Sequence, residues 1–402
     1  MDRLIVVSSD CHAGLPPEKY RDYLDPKHRE MFDVALPIAT ALTEKSEATF
    51  LLKEINDQWR EGIEDKLEGS WHYQKRIEML DGDGIASEII FPDGVTERNT
   101  PPFGAGLSLP TKDVVPELQW AGARAHNRWL SELCSADTER HFGVAVCPLL
   151  WDVEEAVKEV RWASENGLRG IMIPLLTSGF EPYHHPKYNP FWQACEDLGI
   201  VICLHSAAAP MADFFGEGFP ETEQSDYPGA VGIYVSEVFF WTYRPIISML
   251  WGGVFERFPK LRASITETGT GWMVNPMLHM LEHHYSETHF SAKLGDYRSH
   301  LSMSPVDYFR RNCAIGASVM PRSDAEKYRD IGVGQMMWGS DYPHPEGAWP
   351  NTVASMLESF KGLPGQDVEE MLGGNAIDFY GLDREKLQSV ADRIGPMRSD
   401  FA

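Results

Sequence analysis

The stretch LIVVSSDCH, residues 4–12, joins a short apolar run to an acid and an imidazole two residues apart. Seven more runs of this kind follow: ASEIIFP (86–92), FGVAVCPL (142–149), GIMIPL (170–175), VICLH (201–205), RASITET (262–268), CAIGAS (313–318) and MMWGSD (336–341). Mostly continuous apolar runs predict strands buried on both faces, as in parallel sheets. The stretches between them read as amphipathic helices. WDVEEAVKEVRWASENG has Val153, Ala156, Val157 and Val160 on one face, acids early, and Asn166-Gly167 to end it. NPFWQACEDLG is similar, as is SDAEKYRDIG, where Ser323 is the expected N-cap. Eight alternations of strand and helix predict an α/β fold, a (β/α)8 TIM barrel spanning residues 1–402 as one domain. A doubly wound open sheet is the structural alternative.

Several connections are long: 13–70 with QWREGIEDKLEGS, 93–119, and 206–235 with PMADFFGEGFPETEQSDYPG. They follow the first, second and fifth strands, where barrel enzymes build active-site walls, so they are expected to be βα-loop insertions. Surface decoration or oligomer contact is the plainer alternative.

Composition narrows the function classes. The net charge of −24 repels phosphate backbones, and no basic block interrupts it, so a nucleic-acid partner is not expected. The six cysteines, Cys11, Cys134, Cys147, Cys195, Cys203 and Cys313, show no C-x-x-C spacing and several lie in apolar runs. They read as buried thiols of a reducing compartment. The four-residue run LIVV is too short for a signal peptide, and no window is long enough for a membrane span. A cytoplasmic protein with a small-molecule substrate is the expectation.

The residues that can carry chemistry share one address. Asp10 and His12 leave the first strand on one face. A carboxylate and an imidazole aimed into one cavity suit a divalent metal. Cys11 between them should point away. His205 ends the fifth strand, Glu267 the sixth and Asp341 the eighth. Each is weak evidence singly. Together they fall on the C-terminal rim, where barrels keep their catalytic groups. His344, three residues past Asp341, can orient it or meet substrate. Arg76 can grip a substrate carboxylate through two bonds, or pair on its own helix. His184 and His185 read as turn residues, and His279, His283 and His284 as positions on an outer helix.

This pattern resembles the amidohydrolase superfamily, and within it the amidohydrolase-related group of metal-dependent hydrolases and aromatic-acid or aminocarboxymuconate-semialdehyde decarboxylases. The resemblance runs from SSDCHAG to GGNAIDFYGL. KRIEMLDGDGIASEIIFP and AHNRWL contribute, and GGVFERFPKLRASITETGTGW and WGSDYPHPEG are the most specific stretches. It implies one divalent metal on Asp10, His12, His205 and Asp341, a small-molecule substrate and a homo-oligomer, commonly a dimer. Mixed nitrogen and oxygen donors favour Zn2+, with Mn2+ as second choice. Related decarboxylases carry His where this chain has Glu267. That departure turns the expectation toward hydrolysis by a metal-activated water, with Asp341, Glu267 and His344 as catalytic groups and an additional metal ligand as the alternative role of Glu267. Decarboxylation of an aromatic or β-keto acid is the alternative. A metal-free glycosidase and a non-catalytic binding protein are the readings from other classes. Trp71, Tyr73, Phe214, Phe215, Tyr342 and Trp349 are the expected aromatic wall of the pocket.

Overall fold

The computed structural model describes residues 2–50, 57, 61, 63–93, 99–106, 114–175, 179–206, 209–210, 212–216, 229–287 and 291–402. Parts of the long connections, including 58–60, 62 and 217–228, lie outside the described residues.

All eight expected strands form: β1 (Val7–Ala13), β2 (Ser87–Pro92), β3 (His141–Val146), β4 (Gly170–Met172), β5 (Val201–His205), β6 (Ala263–Thr266), β7 (Cys313–Ser318) and β8 (Met336–Gly339). Each pairs in parallel with the next in chain order, which makes the fold a (β/α)8 barrel. Closure between β8 and β1 rests on a few bonds. The amide of Asp341 donates to Asp10 O at 2.8 Å, and that of His12 to Tyr342 O at 2.7 Å. Gly339 permits this approach, because a Cβ there would lie 2.7 Å from the Asp10 Cβ.

The helices follow the amphipathic pattern. The principal ones are α1 (Arg29–Phe50), α2 (Tyr73–Asp83), α3 (Pro116–Ser135), α4 (Val153–Glu165), α5 (Asn189–Leu198), α6 (Ala230–Trp251), α7 (Gly271–Ser286) and α8 (Pro305–Asn312). Asp152 caps α4 by accepting from the amides of Glu154 and Glu155. The segment before β8 departs from expectation. It forms two one-turn helices, Arg322–Ala325 and Tyr328–Ile331, and Pro321 rather than Ser323 stands at the first N-cap. Among the described residues no helix is long and apolar enough to cross a membrane.

Alternation along the strands divides the core. Ile89, Val144, Val201, Cys203 and Met337 belong to one apolar cluster, while their neighbours Ile90, Ala145, Ile202 and Leu204 pack in the other. In β1 the register slips between Ser8 and Cys11. Val6 and Cys11 pack with the second cluster and Val7 with the first. The slip changes the parity, so Asp10 and His12 share the face that Val7 began. Cys11 points the other way, as expected, toward Ser8 Oγ and Ser340 Oγ at 3.1 and 3.3 Å. All six cysteines are free and buried.

Candidate metal centre and active site

The strand ends bring the expected residues together at the C-terminal rim. His12 Nε2 lies 3.5 Å from Asp10 Oδ1 and 3.5 Å from Asp341 Oδ1. His205 Nε2 lies 3.3 Å from the same Asp10 oxygen and 3.4 Å from Glu267 Oε2. Asp10, His12, His205 and Glu267 offer donor atoms all within 4.8 Å of one another, and Asp341 joins His12 and His344 in an adjoining set. Asp341 is thus a neighbour of the tightest group, and Glu267 lies within it, where an additional ligand would sit.

The surroundings aim these donors inward. His12 Nδ1 donates to Pro92 O at 3.0 Å, and His205 Nδ1 to Ser206 O at 2.8 Å. In the neutral ring each bond fixes the tautomer that leaves Nε2 with the lone pair a metal would take. Ser318 Oγ donates to Asp10 Oδ2, which leaves Oδ1 facing the histidines. Nothing in the sequence marked Ser318; its place at the end of β7, on the same rim, is the signal that points to it. His12 Nε2 and Asp341 Oδ2 are buried without a hydrogen-bond partner, and Asp341 Oδ1 has His344 Nδ1 3.1 Å away with room for a further partner. Buried polar atoms are rarely left so, and an ion among them would satisfy them. The residues therefore fit one divalent metal.

Charge follows the same geometry. Burial, with His344 alongside, pushes His12 down to about 3, so its imidazole is neutral. Burial opposes the charge of Asp10, but the imidazoles of His12 and His205 packed against it hold it below the carboxylate range. Burial also opposes protonation of His205, and Asp10 outweighs it, raising His205 to about 9. Burial and the Asp341 charge push Glu267 up to about 8. Asp341 rises to about 6 through burial, against the pull of His344.

Two residues at the rim have a backbone that L-residues seldom adopt: Glu267 at φ 54° and Asp341 at φ 58°. Strain of this kind costs about 1–3 kcal/mol and concentrates at functional sites. Thr266 belongs to the inner face of β6, so strict alternation would turn Glu267 outward; the left-handed turn brings it back. Its side chain is 27% exposed, against 0% or 1% for Asp10, His12, His205 and Asp341. Glu267 is the acid that faces the opening. His344 backs the site, its Nδ1 3.1 Å from Asp341 Oδ1 and its ring stacked on His12 at 4.0 Å.

Two expectations need correction. Arg76 is fully buried and spent within the fold, on both oxygens of Glu88 and on the carbonyls of His12 and Gly69. It does not reach out to a substrate carboxylate. Four of the six residues expected in the aromatic wall also pack elsewhere. Tyr342 and Trp349 pack on each other in the core, and Phe214 and Phe215 join a separate cluster with Ala230 and Val238. The cleft beside His205 is lined by Ala105, Val146, Cys147, Met172, Ile173 and Leu175, among others. The remaining histidines are where expected: His184 bonds Ser248 Oγ, His185 caps a turn at Lys187, and His279, His283 and His284 lie on α7.

A family model described as amidohydrolase matches residues 9–382. A 2-amino-3-carboxymuconate-6-semialdehyde decarboxylase of Dictyostelium discoideum is 25% identical over 319 residues, 79% of this chain and 78% of the relative. An amidohydrolase structure from Mycobacterium avium subsp. paratuberculosis superposes with a TM-score of 0.68 at 20% identity, covering 94% of this chain and 99% of that one. A 5-carboxyvanillate decarboxylase from Novosphingobium aromaticivorans, in complex with manganese and 4-hydroxy-3-methoxy-5-nitrobenzoic acid, gives a TM-score of 0.63 at 19% identity, covering 94% and 96%. At these identities the structures speak for the shared fold. The family model covers nearly the whole chain, and on that ground this protein belongs to the amidohydrolase family, an enzyme of that superfamily.

Proposed function

We propose that this chain is a metal-dependent, non-oxidative decarboxylase of a small aromatic or conjugated carboxylic acid. The decarboxylase relatives support this reading above the hydrolysis expected from the sequence. The observation that carries it is the division of the rim: four acid and imidazole groups sealed from solvent, and one carboxyl, Glu267, turned back toward the opening.

Asp10, His12, His205 and Asp341 are the residues we assign to the ion. Manganese in a related structure and a donor set of two imidazoles and two carboxylates support Mn2+ beside the expected Zn2+. A divalent ion held there would supply Lewis-acid polarisation of the substrate carboxylate and of an oxygen next to it. The protein supplies the rest. The apolar wall of Val146, Met172, Ile173 and Leu175 holds the hydrocarbon part of the substrate and excludes water. The carbon–carboxylate bond breaks and its electron pair stays on the carbon. Glu267 delivers a proton to that carbon, CO2 leaves, and Glu267 is reprotonated from solvent through its exposed edge. In this role Glu267 takes the proton-handling place that the family resemblance assigns to a His. His344 holds Asp341 in position.

The test uses purified protein loaded with Mn2+ and offered 5-carboxyvanillate, 2,6-dihydroxybenzoate and 2-amino-3-carboxymuconate semialdehyde. The reading expects CO2 from at least one acid or a close analogue. Turnover of esters or amides with none of any acid would favour hydrolysis.

A further inference from the structure

We infer that Arg76 is a positioning residue for His12, setting the metal affinity of the site without touching the ion; this rests on His12 being a metal ligand. Arg76 lies on α2 and is fully buried. Its Nε and Nη2 donate to the two oxygens of Glu88 on β2, at 2.6 and 2.7 Å. Its Nη1 donates to His12 O at 2.9 Å and to Gly69 O at 3.1 Å. Glu88 Oε1 also accepts from His141 Nδ1 on β3, at 2.8 Å. One guanidinium thus ties α2, β1, β2 and the segment around Gly69 into a single network.

A buried ion pair is costly, and well-packed apolar residues of similar volume often serve stability as well or better. Elsewhere the barrel closes mainly with Ile, Val, Phe and Met. The fork does one thing that an apolar side chain could not: it holds the His12 carbonyl. The His12 peptide is then fixed at three points. Its amide donates to Tyr342 O at 2.7 Å, its ring Nδ1 to Pro92 O at 3.0 Å, and its carbonyl accepts from Arg76. Release of the third point lets the peptide rotate, and the direction of Nε2 rotates with it. The approach of the Gly69 segment is equally close. A Cβ at residue 69 would lie 2.3 Å from the Tyr342 hydroxyl and 3.3 Å from the Arg76 backbone. Lysine keeps the charge but lacks the planar fork that serves Glu88 and His12 at once.

The experiment measures Mn2+ affinity of the chelator-stripped full chain, with the melting temperature of the same metal-free sample. Arg76→Lys should bind Mn2+ about 10-fold or more weakly, the range for groups that orient metal ligands. Its Mn2+ electron paramagnetic resonance spectrum should also broaden. Asn312→Ala is the stability control. It loses buried bonds to Pro259 O and Leu261 O at the opposite end of the barrel, and should melt lower with unchanged Mn2+ affinity. Where Arg76→Lys does not fold, Glu88→Gln carries the same measurement with the same expected loss. Affinity within twofold of the parent, in whichever variant folds, overturns the proposal. His12→Ala separates the two layers: undiminished Mn2+ binding in that variant removes the metal assignment itself, whatever Arg76 does.

Discussion

Glu267 Oε2 stands 3.4 Å from His205 Nε2, reached from a backbone at φ 54°. An ordinary strand exit would not place it there. The chain retains about 1–3 kcal/mol of strain to keep this carboxyl over the site. Glu267→Gln should hold its metal within about threefold of the parent yet lose at least about 100-fold in kcat, the scale of a lost proton donor. Metal analysis beside kinetics checks this. A parallel loss of metal and activity would make Glu267 a ligand.

Ser318 is the least conspicuous member of the site. Its hydroxyl holds one Asp10 oxygen so that the other faces His12 and His205. Ser318→Ala should weaken divalent-metal binding by about 10-fold with little change in melting temperature. Calorimetric titration of the stripped protein reads both. Unchanged affinity would mean that packing alone orients Asp10.

Metal removal provides a third test. Stripping the protein with a strong chelator should abolish activity, and Mn2+ or Zn2+ should restore it. Because the ion satisfies His12 Nε2 and Asp341 Oδ2, both buried without a hydrogen-bond partner, it should also raise the melting temperature, by an amount that grows with the logarithm of free metal. Full activity after exhaustive chelation would instead support a metal-free mechanism such as paired-carboxylate glycosidase chemistry.

Away from the site, two buried groups should give the stability curve opposite slopes. Burial pushes His126 down to about 3, so the fold favours its neutral form. That contribution is present above pH 6.5 and is lost as pH falls from there toward 3. Burial pushes Asp83 up to about 6 despite its bond from Thr352. Its contribution is present below about pH 3.8 and is lost as pH rises through 6. Asp83→Asn should therefore raise the melting temperature at pH 8 relative to the parent, by an amount corresponding to roughly 1–3 kcal/mol, and have less benefit at pH 4. His126→Gln should flatten the acid limb between pH 6.5 and 3. Melting curves across this range check both signs.

The barrel was legible because parallel strands buried on both faces leave continuous apolar runs, and the eight runs became eight strands. Strand bounds were less legible: GIMIPL forms a strand only over Gly170–Met172, because Pro174 cannot donate to a ladder. The rim donors could be read because each closes a strand. Parity at Asp10 could not, since it depends on the slip between Ser8 and Cys11. Arg76 was misread because its partner is fixed by the barrel and not by its own helix. The signal was Glu88, a charge inside the run ASEIIFP, which demands a buried cation nearby. Tyr342 and Trp349 missed the wall for a related reason: near the rim in sequence, they pack inward on each other, and the cleft is lined largely by residues at the ends of β3 and β4.

The most direct test of the central claim follows the carbon itself. Mn2+-loaded protein is incubated with a turned-over carboxylic acid in deuterium oxide, and gas and product are analysed together. The account predicts one CO2 per product molecule, one deuterium on the carbon that carried the carboxylate, and loss of both in Glu267→Gln. A product that retains the carboxylate carbon and gains an oxygen from 18O-labelled water, with no CO2, would contradict it and return the chain to hydrolysis.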